Sequence, residues 1–171
     1  MRLKSKITNQ QGFTLIELIL YIAIIVMFLT TLIPFAWNVI EGGAKSATQQ
    51  EIYSQARFIS ERVKYEIRNA SGINSISATS INLATSTAGT NPTIISLSGT
   101  NLTIKEGTGT TTNLNSSDTG VSSMTFTNLT SANTYTKNIQ FSFTVSDVLI
   151  SSRNEFTESV DIQSSAEVRS N

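Results

Sequence analysis

From position 13 to position 37 the chain is apolar except for Thr14, Glu17, Thr30, Thr31 and Pro34, a run of 25 residues. As a helix rising ~1.5 Å per residue this run reaches about 37 Å, enough to cross a hydrocarbon core of roughly 30 Å. Arg2, Lys4 and Lys6 precede it with no acid among them. A basic flank before an apolar span orients it with the leader in the cytoplasm and the remainder outside. The expected location is therefore the cytoplasmic (inner) membrane, crossed once.

An ordinary secretory signal also begins positively, but its apolar region spans only about 7–15 residues and ends at a small-residue cleavage site. Here the small residue, Gly12, comes before the apolar run, so cleavage there leaves the hydrophobic helix on the mature chain. Gly12-Phe13-Thr14-Leu15-Ile16-Glu17-Leu18-Ile19 resembles the class III signal of type IV pilins and pseudopilins. The resemblance covers roughly the first 40 residues. It implies a leader (residues 1–12) removed by prepilin peptidase after Gly12, N-methylation of the new terminal Phe13, and an assembly role for Glu17. Pro34, 21 residues after Phe13, falls where many members of the family carry a proline.

A carboxylate within an apolar span is costly, about 2.5–3.5 kcal/mol at a helix centre on translocon scales. Cleavage after Gly12 frees the Phe13 amine, and the resemblance implies that in a filament a neighbour's amine neutralises Glu17. The alternative is that Glu17 lies near the cytoplasmic end and reaches the interface, where the cost is smaller.

The chain's 171 residues favour one folded domain beyond the helix. Net charge is zero, and loss of the three leader cations leaves the mature chain near −3. No broad basic field is present to bind nucleic acid. Cysteine is absent, so neither disulfides nor thiolate metal sites are available. Many type IV pilins clamp a C-terminal loop with a disulfide, and this departure favours a minor pilin or pseudopilin over a major pilin.

Pro34 lacks the helical N–H donor and its ring crowds the preceding turn, which predicts a helix kink. Gly42-Gly43 offers a second flexible point after the transmembrane/assembly helix (13–41). Residues 44–70 then read as an amphipathic helix, with Ile52, Ala56, Ile59, Val63, Ile67 and Ala70 at three- and four-residue steps. Arg57, Glu61, Arg62, Lys64, Glu66 and Arg68 occupy much of the opposite surface, with Arg62 and Glu66 spaced to pair. Ser71-Gly72 is the expected end of the helix. The segment 51–70 weakly resembles the corresponding helix of J-type minor pseudopilins and W-type minor pilins.

From residue 73 to 171 the composition turns to Ser, Thr, Asn and Gly with short apolar alternations, which favours strands. Expected strands are 73–78, 80–84, 93–97, 102–105, 121–128, 139–145 and 156–163, with 106–120 as a loop. Phe141 and Phe143, in the clearest alternation, should face the core. The fold class expected is α+β: a long N-terminal helical spine, transmembrane half plus amphipathic half, packed on a C-terminal antiparallel β-sheet within an exported pilin-like domain (42–171).

No catalytic residues are expected. Histidine is absent, and no phosphate-binding glycine loop or dinucleotide fingerprint appears. Asp118, Asp147, Glu155, Glu158 and Asp161 lack the spacing of a calcium loop and read as surface acids, so neither metal nor other cofactor is called for. Asn69, Asn101, Asn115 and Asn128 head N-x-S/T triplets that arise by chance in so Asn/Ser/Thr-rich a chain. The function expected is that of a structural subunit, a minor pilin or pseudopilin of a type IV pilus, type II secretion or competence-type filament. Its partners would be the lipid bilayer before assembly, prepilin peptidase, other pilin or pseudopilin subunits, and a membrane assembly platform and ATPase. The alternative is a single-span membrane-anchored extracytoplasmic binding module.

Overall fold

The computed structural model describes residues 12–131, 136–148 and 158–169. One helix, α1 (Leu15–Asn69, 55 residues), precedes strands β1 (Ala70–Ile76), β2 (Ser80–Thr85), β3 (Thr93–Ser98), β4 (Asn101–Glu106), β5 (Thr112–Asn113), β6 (Thr119–Asn128), β7 (Lys137–Asp147) and β8 (Ser159–Val168). The chain divides into two compact units, Met1–Ala44 and Lys45–Asn171.

In the first unit the helix is apolar on every side and covered on almost none. It is long and apolar enough to cross a membrane by length and composition. Helical structure continues through both Pro34 and Gly42-Gly43. The hydroxyls of Thr30 and Thr31, each 2.9 Å from a carbonyl oxygen three residues back, turn inward onto the helix backbone at Met27 and Phe28. A threonine that donates this way leaves little polarity to face lipid.

In the second unit the remainder of α1 lays one stripe against two antiparallel sheets. Ile52, Ala56, Ile59, Val63 and Ile67 are all at most 1% exposed, at the three- and four-residue spacing of one helical face. They share one hydrophobic cluster with Ile81, Leu83, Ile95 and Leu102 from the first sheet and Val121, Phe141, Phe143 and Val145 from the second. The α+β class is as expected, but the β region forms two sheets. β1 to β5 follow one another in a five-stranded meander, and β6 to β8 form a three-stranded one. Two backbone bonds join them, Val121 N–H to the Thr100 carbonyl and Phe126 N–H to the Ala78 carbonyl, each 2.9 Å.

β7 alternates as read, with Ile139, Phe141, Phe143 and Val145 buried and the Phe141 and Phe143 rings stacked 6.2 Å apart. β6 does not alternate, for an identifiable reason. Its register with β7 slips between Ser122 and Thr125, where Ser123 takes a positive φ of 53°. The extra residue of such a bulge reverses the parity of the strand. Val121 before it and Met124 and Phe126 after it consequently all reach the core.

Other boundaries moved. The helix ends at Asn69, and Ala70 already belongs to β1. Gly72 therefore caps nothing: it pairs with Ala84 across the first two strands, beside a register shift. The segment read as a loop, 106–120, contains β5 and a buried staple. Leu102 N–H donates to Asn115 Oδ1 at 2.9 Å, while Asn115 Nδ2 donates to the Thr119 carbonyl at 2.5 Å. The Asn115 side chain is in this way committed to the fold. The expected strand 156–163 corresponds to β8, whose first residue is Ser159; Phe156 and Thr157 lie outside the described residues.

Candidate functional site

The first turn of α1 is built by its own sequence. Thr14 precedes the first helical residue and its Oγ1 accepts a hydrogen bond from Glu17 N–H at 3.3 Å, while Leu18 N–H reaches the Thr14 carbonyl at 3.2 Å. Thr14-Leu15-Ile16-Glu17 thus has the T-x-x-E pattern of a capping box, a start signal that the resemblance alone did not bring out. Glu17 sits in the first turn, where the unsatisfied N–H groups of the helix favour a negative charge.

The second arm of that box is diverted. Glu17 Oε1 accepts a hydrogen bond from the Tyr21 hydroxyl, 3.1 Å away and one turn further along. The Tyr21 ring also meets Phe13 edge-on, with centroids 6.2 Å apart and planes at 67°. Phe13, Glu17 and Tyr21 therefore form one stripe at four-residue spacing. Between Gly12 and Ile40, Glu17 is the single residue that is not exposed. Among the described residues, a Cβ built at Gly12 would meet nothing within 4 Å. The basic leader residues Arg2, Lys4 and Lys6 lie outside the described residues, and Pro34 lies far along the helix from this group.

Charges in the second unit make joints within it. Arg62 Nη2 lies 2.9 Å from Glu66 Oε1, the pairing expected from their spacing, and 2.5 Å from Glu106 Oε1 on β4. Glu66 does not occupy the outer surface as the periodicity suggested; its side chain is only 8% exposed. Burial pushes its carboxyl up from the ordinary value, Arg62 opposes the rise, and the Glu106 charge adds to it. Glu158 is held below the ordinary value by hydrogen bonds from Lys45, 3.0 Å away, and Gln49. Asp161 accepts from the Thr144 hydroxyl at 2.7 Å. Among the described residues no three His, Cys, Asp or Glu side chains gather as a metal site would need. Glu155 lies outside those residues.

Residues 7–33 match the family model of the prokaryotic N-terminal methylation motif. The chain carries the signal of type IV pilins and pseudopilins. The pilin-type motif covers Gly12, Phe13 and the whole Phe13–Glu17–Tyr21 stripe. It supports a type IV pilin-like precursor that is processed by prepilin peptidase and assembles with other pilins. It points to a structural subunit rather than an enzyme, and together with the apolar helix it fits a membrane-anchored, single-pass protein. No curated protein and no solved structure gives a significant match.

Proposed function

We propose that this chain is a minor pilin or pseudopilin, a structural subunit of a type IV pilus, type II secretion or competence-type filament. The observation that carries the reading is the pilin-type motif, with Gly12, Phe13 and Glu17 in register, at the head of a bare apolar helix. In this proposal residues 1–12 are the leader, 13–41 the membrane and assembly helix, and 42–171 the exported domain. Prepilin peptidase cleaves after Gly12 and Phe13 is methylated. The helix resides in lipid until a membrane platform and ATPase extract the subunit and neighbouring helices replace the lipid. Glu17 then meets the Phe13 amine of an adjacent subunit, and Pro34 is the point at which the helix bends most readily.

Intact-mass analysis of membrane-purified protein tests the first step. The expected chain begins at Phe13 with a methylated amine; a mature chain beginning at Met1 or beyond Trp37, in cells with active prepilin peptidase, overturns the reading. Gly12→Val should remain unprocessed. Because a side chain at Gly12 has open space among the described residues, such a block reports on fit to the peptidase rather than on misfolding. Glu17→Leu should insert in membrane at least as well as the native chain but enter filaments poorly, since the partner amine then has no counter-charge.

A further inference from the structure

The Tyr21 hydroxyl is bound to the one acid of the apolar run 13–37, and the motif's processing and assembly roles give it no part. The partial shelter of Glu17 makes the association informative. In a helix whose other residues from Gly12 to Ile40 are all exposed, Glu17 alone is sheltered. Phe13 and Tyr21 stand one turn to either side of it, with their rings in edge contact. Thr14 Oγ1 is engaged by the Glu17 N–H, and the hydroxyls of Thr30 and Thr31 are engaged by backbone carbonyls, which leaves Tyr21 as the side chain donating to the carboxylate.

We propose that Tyr21 is a positioning residue for the assembly charge: its hydroxyl holds one oxygen of Glu17 against the helix and leaves the other to receive the amine of a neighbouring subunit. This rests on reading the chain as a filament subunit. A carboxylate accepts at two oxygens with about four lone-pair directions, so the hydroxyl and an incoming ammonium do not compete for one place. Both contacts are charge-assisted, the stronger class of hydrogen bond. The edge contact with Phe13 favours this placement of the Tyr21 ring, and the hydroxyl in turn restrains the carboxylate, so less side-chain freedom is lost when the neighbour arrives.

The bond matters differently in the two settings. In the first turn of a membrane-inserted helix, a carboxylate deprived of Tyr21 can turn toward the interface and find water. Between packed helices of a filament it has no such recourse, and an unsatisfied lone pair there carries its full desolvation penalty. Removing the hydroxyl should accordingly impair assembly while sparing insertion and cleavage.

The experiment is a double-mutant cycle on full-length chains expressed in their own filament system. Native chain, Tyr21→Phe, Glu17→Leu and the double variant are compared by the ratio of sheared-filament to membrane-retained protein, with N-terminal processing read by mass in the same samples. Tyr21→Phe keeps the ring and its contact with Phe13. It should be inserted and cleaved normally, yet incorporated about tenfold less, the scale of losing one hydrogen bond to a charged group. In the Glu17→Leu background the same change should do nothing further. Native-level incorporation of Tyr21→Phe beside a defective Glu17→Leu overturns the role of Tyr21 and leaves the assembly reading standing. A Tyr21→Phe defect that persists undiminished in the Glu17→Leu background overturns it as well, since the hydroxyl then acts elsewhere. Native-level incorporation of Glu17→Leu overturns both.

Discussion

Ile59 and Phe58 are adjacent in α1, and the fold assigns them opposite fates. Ile59 is 0% exposed and Phe58 is 55% exposed, although phenylalanine is the larger hydrophobe. Ile59→Ala removes three carbons, worth about 2.4 kcal/mol at ~0.8 kcal/mol each. A residual cavity of roughly 40 Å³ at ~24 cal/mol per Å³ adds about 1 kcal/mol, giving about 3–4 kcal/mol. Phe58→Ala takes away a side chain that is already half in water and should cost about 1 kcal/mol or less. The assay is urea and thermal unfolding of the fragment Lys45–Asn171, the second compact unit, followed by circular dichroism. At ~3–5 °C per kcal/mol for a domain of this size, Ile59→Ala should lower the midpoint by about 10 °C or more and Phe58→Ala by a few degrees. Equal losses, or a larger loss at Phe58, would show that the helix does not present this face to the sheets. A native fragment that melts without cooperativity would refute the packed α+β unit itself.

Glu66 supplies a prediction in pH. Its carboxyl is raised, so the folded chain holds the proton more tightly than the unfolded chain, and the stability this provides is full below the ordinary carboxylate range and lost as pH rises through the raised value. Glu66→Gln should therefore match or exceed the native stability near pH 7 and lose that advantage near pH 4 in urea melts; a clear deficit near pH 7 would mean that the Arg62 ion pair outweighs burial. Glycine positions supply another. Gly99 and Gly107 both have positive φ, but a Cβ at Gly107 would approach the Gly89 carbonyl oxygen closely, whereas at Gly99 it would meet open space. Gly99→Ala should cost about 1–2 kcal/mol and Gly107→Ala at least ~2 kcal/mol more, with equal costs in thermal melts contradicting the close approach of the Gly89 turn.

Much of this protein is written in patterns that need only near neighbours. The core stripe from Ile52 to Ile67 and the alternation through Phe141 and Phe143 follow from the periods of helix and strand, and burial obeys both. The pilin-type signal is likewise local, because the matched motif is a single contiguous stretch, residues 7–33. Two further details are equally local: Thr14-x-x-Glu17 announces the cap, and Glu17-x-x-x-Tyr21 places a phenol one turn from the acid. Other features no local pattern contains. Glu66 has the spacing of an outer residue, but it is buried in the fold, and β4 brings Glu106 to the same guanidinium. Asn115 looks like any polar loop residue until Leu102, thirteen residues earlier on β4, arrives to use its amide oxygen. The bulge at Ser123, and the division of the strands into two sheets, depend on pairing with distant segments. The sequence by itself determined the periods, the caps and the signal, since these are set within a few turns of chain. Tertiary structure decided which polar groups were buried and how strands were shared, since both depend on what the rest of the chain excludes from water.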